Sequence, residues 1–230
     1  LVLEDKMPGF YDTSNHQARL DLIAAAQEMA RRGLAQGTSG NLSSRVEGGV
    51  LITPSAIPYG ELRPDMIPLL REDGSFEGAY RPSSEWRFHL DILVSRPEIG
   101  GVVHHHAPYT TALAMARREI PACHYMIARF GGAPVRCAGY ALFGTAELSE
   151  LVVDALKDRT ACLMANHGGL ALGTTVAAAL GAATELEALA QHYALSLSVG
   201  GPILLSEAEV AAAITQFATA YGPNIAQTKN

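Results

Sequence analysis

Apolar residues recur along the chain with two periods. Over residues 16–33 (HQARLDLIAAAQEMARRG), Leu20, Ile23, Ala24 and Met29 fall at roughly helical spacing, and Gly33 supplies a stop. The polar, glycine-rich turn QGTSGN (36–41) follows. Two short strands, Leu42–Val46 and Val50–Thr53, then flank Glu47-Gly48-Gly49 and predict a hairpin. Residues 66–70 and 76–80 read as further short strands around Asp73-Gly74. Pro82-Ser83-Ser84-Glu85 opens a helix running to about Ser95, and Gly100–His106 is an apolar strand ending in histidines. Later segments read as helix (Ala146–Lys157), strand (Cys162–Ala165), short strand (170–173) and a long alanine-rich helix (Thr175–Val199). A final helix, Ser206–Tyr221, has Ser206 as N-cap and Glu209 as capping-box partner. Interleaved helices and antiparallel-looking strands predict a single α/β domain, a central mostly antiparallel sheet covered by helices.

Composition narrows the function classes. The 230 residues suit one domain, 1–230 with its core at about 16–221. Seventeen Lys+Arg against 23 Asp+Glu give a net charge of −6, which disfavours a nucleic-acid groove. The pairs Arg31-Arg32 and Arg117-Arg118 read as solvated helix ends. Charged residues make up only 17%, which hints at surface hidden in subunit contacts. Cys123, Cys137 and Cys162 have neither a disulfide-framework nor a zinc-ribbon spacing, so a reducing, cytoplasmic setting is expected. No signal peptide is visible. The uncharged run Ala161–Thr184 carries Asn166, His167 and the glycines 168, 169 and 173, and reads as strand, loop and helix start rather than a membrane span.

The histidines hold the candidate chemistry. Side chains alternate along a strand, so His104 and His106 share a face and His105 points the other way. An H-x-H at a strand end can chelate a divalent ion, His167 in N-H-G-G could add a third imidazole, and Glu85 a fourth ligand. Three histidines and a displaceable carboxylate suit zinc. Such pairs are also common on surfaces and in hydrogen-bonded cores, and His89, four residues after Glu85, could form a surface pair with it. His16, His124 and His192 default to structural or surface roles. Spacing alone leaves these readings open. Gly40-Asn41, Thr53-Pro54-Ser55 and Ser83-Ser84 place small hydroxyl, amide and glycine positions at loop and helix starts, which favours an anion. Ser83 reads equally as a helix N-cap, and QGTSGN as a plain turn.

Seven collinear stretches resemble the class II aldolase/adducin family: GLAQGTSGNLSSR (33–45), LITPSAIPYGEL (51–62), PSSEWRFH (82–89), VVHHHA (102–107), IPACHYMIA (120–128), YALFGTAELSE (140–150) and NHGGLAL (166–172). The resemblance implies a three-layer fold with Glu85, His104, His106 and His167 as zinc ligands. It implies that Gly40, Asn41, Ser55, Ser83 and Ser84 hold a substrate phosphate, with Phe143 lining an aldehyde pocket. Tyr125 would reach a neighbouring subunit's site to protonate the aldehyde oxygen, and Tyr221 falls where a second family tyrosine lies. The implied activity is zinc-dependent retro-aldol cleavage of a ketose 1-phosphate, of the L-fuculose 1-phosphate type, to dihydroxyacetone phosphate and a short aldehyde. Glu85 would serve as general base in a cytoplasmic homotetramer with active sites at subunit interfaces. Three departures stand out. Ala56 replaces a glycine beside the phosphate, His105 replaces an asparagine and Asn166 a histidine. Alternatives within the family are a pentulose-phosphate 4-epimerase, which carries Asp where this chain has Glu85, and a metal-dependent decarboxylase. A non-catalytic adducin-like module has no need of an open metal site.

Overall fold

The computed structural model describes residues 15–220. Its elements are α1 (His16–Arg31), the hairpin β1 (Asn41–Val46) and β2 (Gly49–Ile52), two short strands β3 (Leu69–Leu70) and β4 (Phe76–Glu77), and α2 (Trp86–Ser95). There follow β5 (Gly101–His105), α3 (Pro108–Met115), β6 (Cys137–Ala138), α4 (Ala146–Ala155), β7 (Ala161–Met164), β8 (Gly168–Gly173), α5 (Val176–Ser198) and α6 (Glu207–Ala220). The strands form one sheet in the order β4-β3-β2-β1-β5-β8-β7-β6. Every pairing is antiparallel except β6 with β7, so the sheet is mostly antiparallel as expected. None of the described helices is long and apolar enough to cross a membrane.

Alternation along the central strands builds two cores. Val103 and Ala171 face the α1, α3 and α5 side, where they pack with Leu22, Met29, Leu113, Ala183 and Leu186. Val102, Leu170 and Leu172 face the other way, against Phe88 and Leu93 of α2 and Leu148 and Val152 of α4. A sheet covered by helices on both faces is the three-layer arrangement expected from the sequence. Register then carries the histidines. Asn41 lies opposite His104 and Ser43 opposite Val102, so these four side chains share the α2 face.

Several local readings are corrected. In α1 the buried residues are Arg19, Leu22, Ile23, Ala25, Ala26 and Met29, so Ile23 and Met29 are buried as expected while Leu20 and Ala24 are exposed. The buried stripe is centred on the Leu22–Ala26–Met29 row, which turns Leu20 and Ala24 to solvent. The segment 66–70 pairs only at Leu69–Leu70, because Pro64–Met66 is a 3-10 turn. Helix α2 begins at Trp86 with Glu85 in the cap position; Ser83 is not the N-cap, although its Oγ accepts the Glu85 N–H at 3.3 Å. Helix α3 was not foreseen. Pro108 at its first position supplies the fixed φ a helix start tolerates. Other caps follow expectation: Ser206 and Glu209 form the reciprocal box, with Ser206 N–H to Glu209 Oε2 at 2.7 Å and Glu209 N–H to Ser206 Oγ at 3.3 Å. Arg31 and Arg32 both pair with Glu28 at the exposed end of α1.

Candidate functional site

The site forms where the end of β5, the turn before β8 and the start of α2 meet. His104 is the last inward residue on its face of β5, and His106 follows just beyond the strand. His167 sits in the tight turn between β7 and β8. Its neighbour Gly168 has no room for a side chain: a Cβ there would lie 2.5 Å from the His105 carbonyl oxygen and 2.8 Å from the His106 ring. The three rings pack edge-on at centroid separations of 4.8, 4.8 and 5.1 Å. Their candidate ligand atoms lie within 4.8 Å of one another, and among the described residues this is the group with metal-ligand spacing.

Electron-pair geometry tests the fit of a metal. His104 Nδ1 donates to the Gly169 carbonyl at 3.0 Å, which leaves its Nε2 lone pair facing the site. That Nε2 lies 3.0 Å from His106 Nε2 and 3.4 Å from Glu85 Oε2, while His167 Nε2 lies 3.1 Å from Glu85 Oε1. Glu85 is buried, and its Oε1 has no hydrogen-bond partner among the described residues. The His167 contact therefore has ion-pair distance without hydrogen-bond geometry. Three imidazoles and a buried carboxylate with an unsatisfied oxygen are a donor set that a divalent cation satisfies, and zinc takes that combination. Burial opposes charge on Glu85, but the His104 and His167 imidazoles outweigh it and hold the carboxyl well below the usual range. Burial and then the charges of His104 and His167 pull His106 down to about 4, so its ring is neutral and ligand-ready at neutral pH.

His105 faces the opposite core, as alternation requires. It is fully buried and opposite Gly169, with its Nε2 unpartnered among the described residues. Burial, with His104 and His106 adding to it, pulls the ring down to about 3.

Beside the histidines opens a cavity of about 370 Å³, within the range of small-ligand sites. Gly40, Asn41, Ser55, Ala56, Ser83, Ser84, Glu85, His106, Phe143 and His167 all line it, so the structure brings most of the sequence candidates to one place. His104 lies behind them, fully buried. Thr38, Ser39, Pro54, Tyr140, Ala141 and Asn166 complete the wall. Among the described residues, no Lys or Arg lines the cavity. Backbone hydrogen bonds join the two serine loops: Ser83 N–H donates to Thr53 O at 3.0 Å and Ser55 N–H to Arg81 O at 3.1 Å. Gly40 approaches β5 so closely that a Cβ would meet the His104 carbonyl oxygen at 2.7 Å. The buried Tyr59 hydroxyl donates to the Gly40 and Ser39 carbonyls and fixes that loop. Ala56 adopts φ +60°, the left-handed region that glycine enters without strain.

Some candidates stand elsewhere or were missed. Tyr125, on the 3-10 segment Tyr125–Phe130, does not line its own chain's cavity; it is 55% exposed and stacks on Phe217 of α6 at 6.1 Å. Tyr221 lies outside the described residues. His89 corrects the surface-pair reading, because it is fully buried between Ser43 and Asn41. The Asn41 amide is engaged by Glu85 and His89 while the residue borders the cavity. Tyr140 had no signal of its own in the sequence. Asn166 did: it precedes His167 in the glycine turn, adopts φ +55° and accepts Arg117 Nε–H at 3.0 Å.

The chain is similar to known proteins. The profile of the Class II Aldolase and Adducin N-terminal domain matches residues 20–194. A 5-methylthioribulose-1-phosphate/5-deoxyribulose-1-phosphate aldolase of Rhodospirillum rubrum is 46% identical over 218 residues, spanning 95% of this chain and 96% of that protein. An L-fuculose phosphate aldolase of Escherichia coli K12 is 46% identical over 205 residues, 89% and 95% of the two chains. Among solved structures, an L-fuculose 1-phosphate aldolase superposes with TM-score 0.85 at 36% identity, covering 88% of this chain and 96% of the other.

Proposed function

The chain belongs to the class II aldolase and adducin family, and from that premise we propose that it cleaves a ketose 1-phosphate by a metal-dependent retro-aldol reaction. The products are dihydroxyacetone phosphate and a short aldehyde. The carrying observation is the convergence of three imidazoles and Glu85 on one wall of a cavity whose other walls offer glycine, hydroxyl and amide groups. His104, His106, His167 and, in the free enzyme, Glu85 would hold the ion, with zinc the metal this donor set favours. When bound, the ion supplies Lewis-acid polarisation of the ketose carbonyl and stabilises the negative charge that C–C cleavage leaves behind.

The chain's own groups do the rest. Backbone N–H groups and hydroxyls of the 38–41, 54–56 and 83–84 segments bind the phosphate by their dipoles, so no Lys or Arg is required there and the net charge of −6 is no obstacle. Glu85, buried and ionised, serves as the base that moves a substrate proton. Tyr140, Ala141 and Phe143 form an apolar wall suited to an aldehyde that ends in a methyl or thioether group. Tyr125 is exposed and does not line its own chain's cavity, which supports delivery of its hydroxyl to the aldehyde oxygen of a neighbouring subunit in a homotetramer. Tyr221 is proposed as a second tyrosine at that seam. Three free cysteines suit a reducing, cytoplasmic setting.

The test is a coupled assay for dihydroxyacetone phosphate across L-fuculose, 5-deoxyribulose and 5-methylthioribulose 1-phosphates, before and after chelation. Release that chelation abolishes and zinc restores is the expected result. Inversion at C4 without cleavage would make the protein an epimerase, and carbon dioxide release from an oxo acid a decarboxylase. An active monomer by light scattering would overturn the shared site.

A further inference from the structure

Behind Glu85 runs a buried chain of polar side chains. Asn41 Nδ2 donates to Glu85 Oε2 at 2.9 Å, so the amide oxygen faces away from the carboxylate, toward His89 Nε2 at 2.5 Å. That oxygen can only accept, so His89 Nε2 carries the proton. His89 Nδ1 then bears a lone pair and accepts the Ser43 hydroxyl at 2.7 Å. Asn41, Ser43 and His89 are 3%, 0% and 0% exposed, so Ser43 and His89 are sealed from bulk water and Asn41 nearly so. Each donor points the same way, from β1 through α2 to the carboxylate. The chain closes for one amide orientation, one tautomer and one hydroxyl rotor. Flipping Asn41 would set its oxygen against Glu85 Oε2 and its NH₂ against the His89 N–H.

We propose that His89 is a positioning residue of this site: by fixing the Asn41 amide it locks Glu85 Oε2 and leaves Oε1 as the carboxylate oxygen that no hydrogen bond from the described residues holds. This rests on the reading of Glu85 as ligand and base. Among the described residues Oε1 has no hydrogen-bond partner, and it lies 3.1 Å from His167 Nε2. Holding one oxygen while freeing the other lets the carboxylate leave a metal without losing its place beside the substrate. Burial, and then the charge of His104, pull His89 down to about 3, so the ring stays neutral and keeps its tautomer across the physiological range.

Two isosteric variants separate positioning from bulk. His89→Gln can place an N–H where Nε2 sits; His89→Asn places its amide nearer Nδ1 and cannot reach Asn41. For the metal-free protein, chelator competition should show zinc affinity falling about tenfold in His89→Asn and about threefold in His89→Gln, as for other groups that orient metal ligands. The rate constant for lyase turnover should follow the same order with KM moving less than twofold. Equal affinities in the two variants, or wild-type affinity in His89→Asn, overturn the proposal. Nitrogen NMR of the unaltered protein gives a check that needs no variant: a protonated Nε2 with an unprotonated Nδ1 is required, and the opposite tautomer refutes it. The zinc and NMR readouts stand even if no ketose 1-phosphate proves to be a substrate, so failure of the lyase reading is told apart from failure of the positioning role.

Discussion

Consecutive residues of one strand end meet opposite fates. His104 and His106 face α2, where Glu85, His167 and a polar cavity await them; His105 faces α3 and α5, where it is sealed in an apolar core. All three carry the same ring on the same backbone. What separates them is the set of partners: His104 has the Gly169 carbonyl behind it and lone-pair donors in front, whereas His105 Nε2 has no partner among the described residues. Chemistry follows the face, not the residue type.

The largest expected effect breaks the active face. His106→Ala or Glu85→Gln should abolish lyase activity, by more than about a thousandfold, since each removes a proposed ligand and Glu85 also the proposed base. Circular dichroism should show an unchanged fold, and near wild-type turnover in either variant would sink the metal-centred mechanism. Gly168→Ala should damage both faces at once, because its Cβ would meet the His105 carbonyl and the His106 ring. A loss of about 1–3 kcal/mol by urea denaturation, with reduced zinc affinity, is expected.

Acid should expose the cost of burying neutral histidines. His89 and His105 both titrate near 3 in the folded state, against about 6.5 when unfolded. Between those values the unfolded chain binds more protons, so stability is full above about pH 6.5 and declines as pH falls toward 3, by up to about 1.4 kcal/mol per pH unit for each ring. Urea midpoints measured from pH 7 to 4.5 should fall, and His89→Gln should flatten the slope. The smallest effect sharpens the contrast with the active face. His105→Leu removes an unpartnered donor from an apolar core and should change stability by less than about 1 kcal/mol, with lyase activity retained. A loss comparable to that of His106→Ala would contradict the division between faces.

Much of this was legible because it depends on local rules. Strand alternation assigned His104, His105 and His106 to their faces, and the Ser206–Glu209 box and the hairpin turn are local motifs, the turn closing at Glu47-Gly48 with Gly49 already paired to Val46. The four proposed metal ligands are the residues that the H-x-H, N-H-G-G and P-S-S-E motifs offered. Legibility failed where one spacing serves two environments. Glu85 and His89 sit four apart on a helix whether that helix faces water or a sheet, so the spacing suggested a surface pair where docking on β1 produced a buried relay. Tyr140 joined the cavity because Gly144 lets its loop approach the Ser84 carbonyl, with only 2.8 Å left for a Cβ. No periodicity encodes that approach.

The sequence by itself determined the types and approximate limits of most elements, the sharing of a face by His104 and His106, and a donor set fit for zinc. These follow from backbone periods, turn chemistry and ligand chemistry, which act over a few residues. Only the tertiary structure decided that Asn41 and Ser43 would stand opposite His104 and Val102, that α2 would bury His89 against them, and that one glutamate oxygen would be held and the other left open. Strand register and helix docking join residues more than forty positions apart, and their outcome depends on which surfaces the whole chain can bury together.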